Sequence, residues 1–148
     1  MYLNKVNVEK TIRTLEVSNL VSKVSAIPEV RRKLVAIQKE IGKNKAVVMD
    51  GRDIGTVVFI DAELKIFMTS SAETRAQRRY DELIQKGEKE SYQDVFTNVV
   101  ERDRVDTSRK DSPLVKADGA IEIDNSQLSK EKQFEIILKL VEEKLRDI

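Results

Sequence analysis

The chemistry available to this sequence is limited by the side chains it contains. Its 148 residues include no cysteine and no histidine, which excludes disulfides, thiolate nucleophiles, zinc–sulfur sites and histidine general bases. Aspartate, glutamate, arginine, lysine, serine, threonine and tyrosine remain. This set suits phosphoryl transfer, because that reaction depends on positioning and charge neutralisation more than on a titrating base.

The first group of candidate residues follows an apolar run. Ala46–Met49 is predicted to be a buried strand, because a short continuous apolar run bounded by turn residues is typical of parallel sheets. Arg52 and Asp53 would then lie just beyond its carboxyl end, where ligands bind in open α/β sheets. Gly51 and Gly55 would let the backbone turn sharply. An ordinary polar turn explains the same residues equally well.

The second group lies within the segment E-R-D-R-V-D-T-S-R. Arg102, Asp106 and Arg109 have i, i+4 and i+7 spacing, which places them on one face if the predicted helix continues through them. Two guanidinium groups beside a carboxylate can clamp a phosphate. A solvated helix face with i, i+4 salt bridges is the alternative, and on this segment alone it is the better interpretation.

The third group is a cluster of arginines on another predicted helix. Arg75, Arg78 and Arg79 are three and four residues apart, so they form a local positive patch that suits a polyphosphate. An exposed surface without a ligand is an equally good interpretation. The phosphate-binding motif G-x-x-x-x-G-K-[ST], whose amides and lysine hold nucleotide phosphates, does not occur in the sequence.

Strands and helices that alternate along the chain would position these groups. Capping boxes at Ser70 with Glu73 and at Ser91 with Asp94 predict two helix starts, and Gly42 is predicted to be a left-handed C-terminal cap. The predicted strands are Ala46–Met49, Thr56–Phe59, Leu64–Met68 and Ala120–Ile123. The predicted helices span about 8–20, 28–42, 70–87, 91–100 (or 91–109 if the helix continues) and 129–148. This order predicts an α/β fold with a mostly parallel sheet and flanking helices.

Composition narrows the class of protein further. Hydrophobic residues make up 40% and charged residues 36%, as in a globular domain. The 27 basic residues nearly balance the 26 acidic ones, so we expect no nucleic-acid partner. The apolar runs are too short to span a bilayer, and no secretory signal is visible, so we expect no membrane partner and a cytoplasmic location.

Four motifs occur in an order that resembles bacterial cytidylate kinases. They are S-K-V-S-A-I-P-E-V-R, V-M-D-G-R-D-I-G-T-V-V-F, K-I-F-M-T-S-S-A-E-T-R-A-Q-R-R and E-R-D-x-x-D-x-x-R-x-x-x-P-L. The resemblance extends from Leu3 to Ile148. It implies the P-loop nucleoside monophosphate kinase fold and transfer of a phosphoryl group from ATP to CMP or dCMP, with Mg²⁺ as cofactor.

The resemblance also implies roles for individual residues. The matching positions of the acceptor-nucleotide site are Ser22, Arg31, Arg52, Asp53, Arg102, Asp106 and Arg109. Arg31, Arg52 and Arg109 would bind the acceptor phosphate, and Ser22, Arg31 and Asp53 would help select cytosine. Asp106 is similar to the family's sugar-binding aspartate. Arg75, Arg78 and Arg79 would belong to the lid that closes over ATP, about 71–87.

The sequence also departs from the family pattern. The P-loop and the strand that carries it are not present, so 1–45 would be the remainder of the CMP-binding helical insert and 46–148 the C-terminal part of the kinase core. The P-loop strand would lie between the strands at Ala46–Met49 and Leu64–Met68, which leaves two apolar edges able to pair with each other or with another chain. Ile60 stands where the family usually has proline. We expect this chain alone to be inactive.

Other functions remain open at this stage. A nucleotide-binding module could use the CMP pocket without catalysis. An RNA-binding domain could use the arginine-rich helix, although an aromatic content of 5% offers few stacking platforms. A UMP or AMP kinase is the nearest alternative among enzymes.

Overall fold

The computed structural model describes residues 1–44 and 46–146. Two strands of two residues each, β1 (Tyr2–Leu3) and β2 (Val6–Asn7), pair as an antiparallel hairpin at the N-terminus. The longer strands are β3 (Ile66–Thr69) and β4 (Ile121–Asp124). The α-helices are α1 (Leu15–Ser25), α2 (Pro28–Ile41), α3 (Ala72–Gln85), α4 (Tyr92–Ser108) and α5 (Lys130–Arg146). Two short 3₁₀ turns span Thr11–Arg13 and Gly42–Asn44, and a π-helical turn spans Ile54–Val58.

A small parallel sheet confirms the α/β class. β3 and β4 run parallel, in a register that pairs Ile66 with Ile121 and Thr69 with Asp124. The chain between them forms α3 and α4, which is the kind of helical crossover that parallel strands require. The strands predicted at Leu64–Met68 and Ala120–Ile123 are therefore present, each displaced by one or two residues.

Two predicted strands are wrong. Ala46–Met49 has no regular secondary structure, and Val48 is 99% exposed. Ala46 has a left-handed φ of 51°, which a strand does not allow. Thr56–Phe59 instead overlaps the π-helical turn at Ile54–Val58. Apolar, β-branched residues favour strands only where a neighbouring strand pairs with them, and neither segment pairs with a strand in the described part of the chain.

Helix ends follow local sequence signals, with three corrections. The first helix, predicted at about 8–20, lies instead at Leu15–Ser25. α2 begins with Pro28 at its first turn, and Ser91 caps α4 by accepting a hydrogen bond from the Asp94 amide at 3.1 Å, as predicted. The cap of α3 is Ser71, not Ser70, because it is the Ser71 hydroxyl that accepts from the Thr74 amide at 3.1 Å. Gly42 is right-handed, with φ of −81°. Glycine fits this position for a different reason, because a Cβ there would collide with the Phe59 ring.

The core lies between α3 and α4. Ala76 and Leu83 on α3 are fully buried, as is Val95 on α4. The rings of Tyr80 and Tyr92 meet edge to face, with centroids 6.0 Å apart. α1 packs on α4 and also contacts α2. This packing brings the C-terminal half of α4 close to the segment that follows α2, where the candidate residues lie.

The helical spacing of apolar residues at 134–145 predicts a face of α5 that points inward, and for three of its five residues this is wrong. Phe134, Leu138 and Leu145 are exposed, and none of the described residues of α5 is buried. The described sheet has only two strands longer than two residues, so it offers little apolar surface for a fifth helix to cover. None of the described helices is long and apolar enough to cross a membrane.

Candidate functional site

A buried ion pair joins α2 to the segment after Ala46–Met49. Arg31 and Asp53 are each 8% exposed, and a guanidinium nitrogen of Arg31 (Nη2) donates to Asp53 Oδ2. Arg31 Nη1 also donates to the Ser25 carbonyl at 3.3 Å. The Nε of Arg31 is buried without a hydrogen-bond partner in the described chain. A buried donor of this kind is costly unless a ligand accepts from it.

A second buried carboxylate gathers three arginines. Asp106 is 3% exposed. Its Oδ1 accepts from Arg109 Nη1 at 2.7 Å, and its Oδ2 accepts from Arg52 Nε at 2.7 Å. Arg102 Nε lies 3.9 Å from the same Oδ2, too far for a hydrogen bond. Arg102 and Asp106 lie one turn apart in α4, Arg109 directly follows its last residue, and the three side chains do come together.

The loop after α4 holds Arg109 in place. Ser112 has a left-handed φ of 52°, which turns the chain back so that the Leu114 amide donates to the Asp106 carbonyl at 2.7 Å. Arg109 Nε donates to the Ser112 carbonyl at 2.7 Å. Its Nη2 is buried and has no hydrogen-bond partner within residues 1–44 and 46–146. Arg109 is thus fixed at two points while one donor stays unpaired.

These six side chains form one cluster with excess positive charge. We call Arg31, Arg52, Arg102, Arg109, Asp53 and Asp106 the arginine cluster. Four cations and two anions give it a formal charge of +2. Burial lowers the pKa of Arg109, and the nearby charge of Arg31 lowers it further. Burial and the charge of Arg52 likewise lower the pKa of Arg102. Because guanidinium groups stay protonated in proteins, the cluster can be neutralised only by an anion.

The arginine cluster borders an open groove. A cavity of about 260 Å³ lies beside Arg31 and is also lined by Val35, Val57 and Ser112. Arg31 is the member of the arginine cluster that lines this groove, and the Ser112 carbonyl beside it holds Arg109. The groove also includes Asp111, a residue that carried no signal in the sequence.

The three arginines of α3 are not brought together. Arg75 forms a forked ion pair with Asp103, at 2.8 and 2.6 Å. Arg78 donates to the Asn125 carbonyl at 2.7 Å, in the loop after β4. Arg79 donates to the Arg13 carbonyl at 2.6 Å. Each arginine therefore reaches a different element, and their placement at one phosphate remains a prediction, as does the lid at 71–87.

Ser22 and Asp103 complete the account of the predicted and missed residues. Ser22 lies in α1, but its side chain is outside the described residues. Sequence reasoning missed Asp103, although it stands in the same E-R-D segment as Arg102. It also missed the carbonyl groups of Ser25 and Ser112, because a residue of any type can supply a backbone carbonyl.

The described residues do not form a metal cage. No group of three or more acidic residues that could hold a metal ion occurs in 1–44 or 46–146. Magnesium is usually bound through one or two carboxylates and the substrate phosphates, so a protein cage is not expected for it. Neither the described residues nor the sequence motifs identify the group that would hold Mg²⁺ or ATP.

A scan against protein families decides the class of this chain. The family model described as cytidylate kinase matches residues 1–143, which is nearly the whole sequence. The chain belongs to the cytidylate kinase family. Family membership implies the P-loop nucleoside monophosphate kinase fold, of which the parallel β3–β4 pair and its flanking helices are a part.

Curated cytidylate kinases are similar over almost all of this chain. The Flavobacterium johnsoniae enzyme is 72% identical over 141 residues, covering 95% of this chain and 61% of the relative. The Flavobacterium psychrophilum enzyme is 67% identical over 141 residues, which cover 95% of this chain and 62% of the relative. The Bacteroides fragilis enzyme is 57% identical over 137 residues, which cover 93% of this chain and 60% of the relative. The chain thus spans about three-fifths of the length of these cytidylate kinases.

Proposed function

We propose that this chain binds the acceptor nucleotide, CMP or dCMP, of a cytidylate kinase. The observation that carries the proposal is the pair of buried guanidinium nitrogens, Arg31 Nε and Arg109 Nη2, that lack a partner among the described residues. They belong to a cluster with a formal charge of +2. A phosphate monoester supplies a charge of roughly −1.5 to −2 and three acceptor oxygens, so it satisfies both the charge and the donors.

In this proposal Arg31, Arg52 and Arg109 bind the phosphate. Arg31 and Arg109 are anchored by Asp53 and Asp106, and each keeps a nitrogen free for a phosphate oxygen. Arg52 uses Nε for Asp106, which leaves its terminal nitrogens for the ligand. Charge-assisted hydrogen bonds of this kind are roughly twice as strong as neutral ones. Preorganised arginines also cost no rearrangement when charge develops on the phosphate.

Asp53 is proposed to select the base. Its Oδ2 accepts from Arg31, so Oδ1 can accept a hydrogen bond from the exocyclic amine of cytosine. Aspartate and glutamate are the side chains that accept from cytosine N4, and uracil has no donor at that position. Ser22 and Arg31 complete the proposed cytosine contacts. This arrangement favours CMP over UMP.

A calorimetric titration with CMP, UMP and AMP tests the binding proposal. We expect CMP to bind and UMP to bind at least ~10-fold more weakly, because the uracil carbonyl would face the Asp53 carboxylate without a proton between them. AMP also has an exocyclic amine, so it tests the size of the base site and not the Asp53 contact. Equal binding of CMP and UMP would contradict base selection by Asp53, and no binding of any of the three nucleotides would contradict the proposed site.

We further propose that the family reaction, phosphoryl transfer from ATP to CMP with Mg²⁺, does not proceed on this chain alone. The sequence has no G-x-x-x-x-G-K-[ST] motif to hold the donor phosphates. A coupled assay with ATP, Mg²⁺ and CMP is expected to show no turnover above the buffer blank. Turnover well above that blank, lost in Arg52→Ala, would overturn this prediction.

The same motif's absence favours one alternative, a non-catalytic pyrimidine-nucleotide-binding module. Mixing the chain with the segment of the Flavobacterium johnsoniae cytidylate kinase that lies outside the match separates the two functions. Restored turnover would support the kinase assignment. CMP binding that persists while turnover stays at the blank would support the module.

A further inference from the structure

An asparagine on α4 makes a polar contact with α1 that the proposed function does not use. We infer that this residue, Asn98, is a positioning residue, which fixes the orientation of α1 and thereby the cytosine contacts that this helix supports. The inference rests on the proposed function, in which Ser22 of α1 and Arg31 help select cytosine. Asn98 acts through α1 and does not touch the nucleotide.

Both ends of the Asn98 amide are used on α1. Its Oδ1 accepts a hydrogen bond from the Ser18 hydroxyl at 3.3 Å, and its Nδ2 donates to Asn19 Oδ1. Asparagine suits this position, because one amide supplies both an acceptor and a donor. Ser18 and Asn19 are neighbours in the helix, about 100° apart around its axis. Two contacts at that angle oppose rotation of α1, which a single contact would allow.

The apolar packing of α1 is concentrated near its N-terminus. Leu15 is buried, whereas Leu20, Val21 and Val24 are exposed. Apolar burial is non-directional, so one buried residue does not fix how the helix is rotated. The hydrogen bonds of Asn98 reach α1 one turn after Leu15, and hydrogen bonds are directional. They therefore set which side of α1 faces α4.

The orientation of α1 affects both of the proposed cytosine contacts. Ser22 follows Ser18 by one turn, so its backbone lies on the side of the helix that Asn98 holds. At the C-terminal end of α1, the Ser25 carbonyl accepts from Arg31 Nη1 at 3.3 Å. A rotation of α1 would move Ser22 and this carbonyl together.

The proposed phosphate contacts of Arg52 and Arg109 have separate supports. Both arginines are held by Asp106, and Arg109 is also held by the Ser112 carbonyl. These supports lie outside α1. A change at Asn98 should therefore weaken selection of the base more than binding of the phosphate, and this difference separates a positioning role from a general loss of structure.

The inference is tested by titrating CMP, UMP and ribose 5-phosphate into the unmodified chain and into Asn98→Leu. Leucine keeps the approximate size of the side chain but removes both hydrogen bonds. We expect the preference for CMP over UMP to fall at least ~3-fold, as for the loss of one net hydrogen bond. Ribose 5-phosphate has a phosphate but no base, so its affinity should change less than ~2-fold.

Two other results would overturn the inference. An unchanged preference for CMP in Asn98→Leu would show that Asn98 does not act on base selection. An equal loss of affinity for all three ligands would show a general structural role. Gln93→Leu is the matched control, since it removes another side-chain amide of α4, whose hydrogen bond to Thr97 at 3.5 Å stays within the helix. It should leave every affinity unchanged.

A second variant covers the case in which Asn98→Leu does not fold. Asn98→Asp keeps the acceptor for Ser18 but places a carboxylate oxygen where the donor to Asn19 was. The same selective loss of the CMP preference is expected, and an unchanged preference would contradict the inference.

A distance measurement decides the inference if the unmodified chain binds no nucleotide, in which case the proposed function fails on its own. The sequence contains no cysteine, so spin labels can be attached at Lys23→Cys on α1 and Val100→Cys on α4, two exposed positions. Electron paramagnetic resonance then measures the separation of the labels. Its distribution should shift or broaden in Asn98→Leu and stay the same in Gln93→Leu. An unchanged distribution in Asn98→Leu would overturn the inference.

Discussion

Arg109→Ala is expected to abolish CMP binding in a calorimetric titration. Arg109 is anchored to Asp106 and to the Ser112 carbonyl, and its Nη2 is the buried donor that we assign to the phosphate. Truncating one partner of a buried, charged hydrogen bond costs about 2–5 kcal/mol. The lower half of this range already corresponds to a loss of roughly 30-fold to 400-fold in affinity.

The control for this variant is Arg104→Ala on the same helix. Arg104 is exposed and pairs only with Glu101 in the described structure, so its removal should change CMP affinity less than ~2-fold, as an exposed ion pair contributes little. Equal effects of the two alanine variants would mean that the titration reports net charge and not a phosphate site. Unchanged binding in Arg109→Ala would remove the arginine cluster from the proposed function.

Asp53→Ala is expected to destabilise the chain severely. The variant leaves Arg31 buried at 8% exposure without its carboxylate. Removing one partner of a buried ion pair costs about 3–5 kcal/mol, which is a large fraction of the roughly 5–15 kcal/mol by which a domain is stable. Urea unfolding followed by circular dichroism measures this change in the free energy of unfolding.

Two further variants show whether the cost comes from the unpaired charge. Asp81→Ala removes an exposed carboxylate that accepts from Gln77, and it should change stability by less than about 0.5 kcal/mol. Arg31→Met combined with Asp53→Leu removes both charges and should recover most of the lost stability, because apolar replacement of a whole buried pair is often neutral. If the double variant were as unstable as Asp53→Ala, the lost stability would come from altered packing and not from the unpaired charge.

Local signals predicted the helical part of the site correctly. The spacing of Arg102, Asp106 and Arg109 predicted that they lie together, and in the structure the two arginines lie 3.9 and 2.7 Å from the Asp106 carboxylate. The Ser91 cap and Pro28 marked helix starts. These features depend on residues within one or two turns, so the sequence contains all the information they need.

Contacts between distant residues could not be predicted in this way. Arg52 reaches Asp106 across 54 residues, and Arg31 reaches Asp53 across 22. Taken alone, the charged residues of α4 favoured a solvated surface over a binding site. The family resemblance named these positions, but it did not say that the two aspartates are buried or that their oxygens hold arginines.

Strand predictions failed where pairing was missing. Ala46–Met49 and Ile66–Thr69 are both apolar, yet only the second forms a strand, because only it pairs with β4. A helix satisfies its backbone hydrogen bonds within itself, whereas a strand needs a neighbour. The apolar face of α5 is exposed for a related reason. An amphipathic pattern predicts an apolar face, but it does not predict which element packs against that face.

By itself, then, the sequence determined which reactive groups this protein has and the positions of four of its five described α-helices. Its lack of histidine and cysteine excluded two kinds of catalytic group, and its ordered arginines and aspartates indicated an anion site. Only the tertiary structure decided which arginine meets which carboxylate. These pairings assemble the arginine cluster with its formal charge of +2 and leave two of its buried donors unpaired. They depend on how α2, α4 and the loops between them pack.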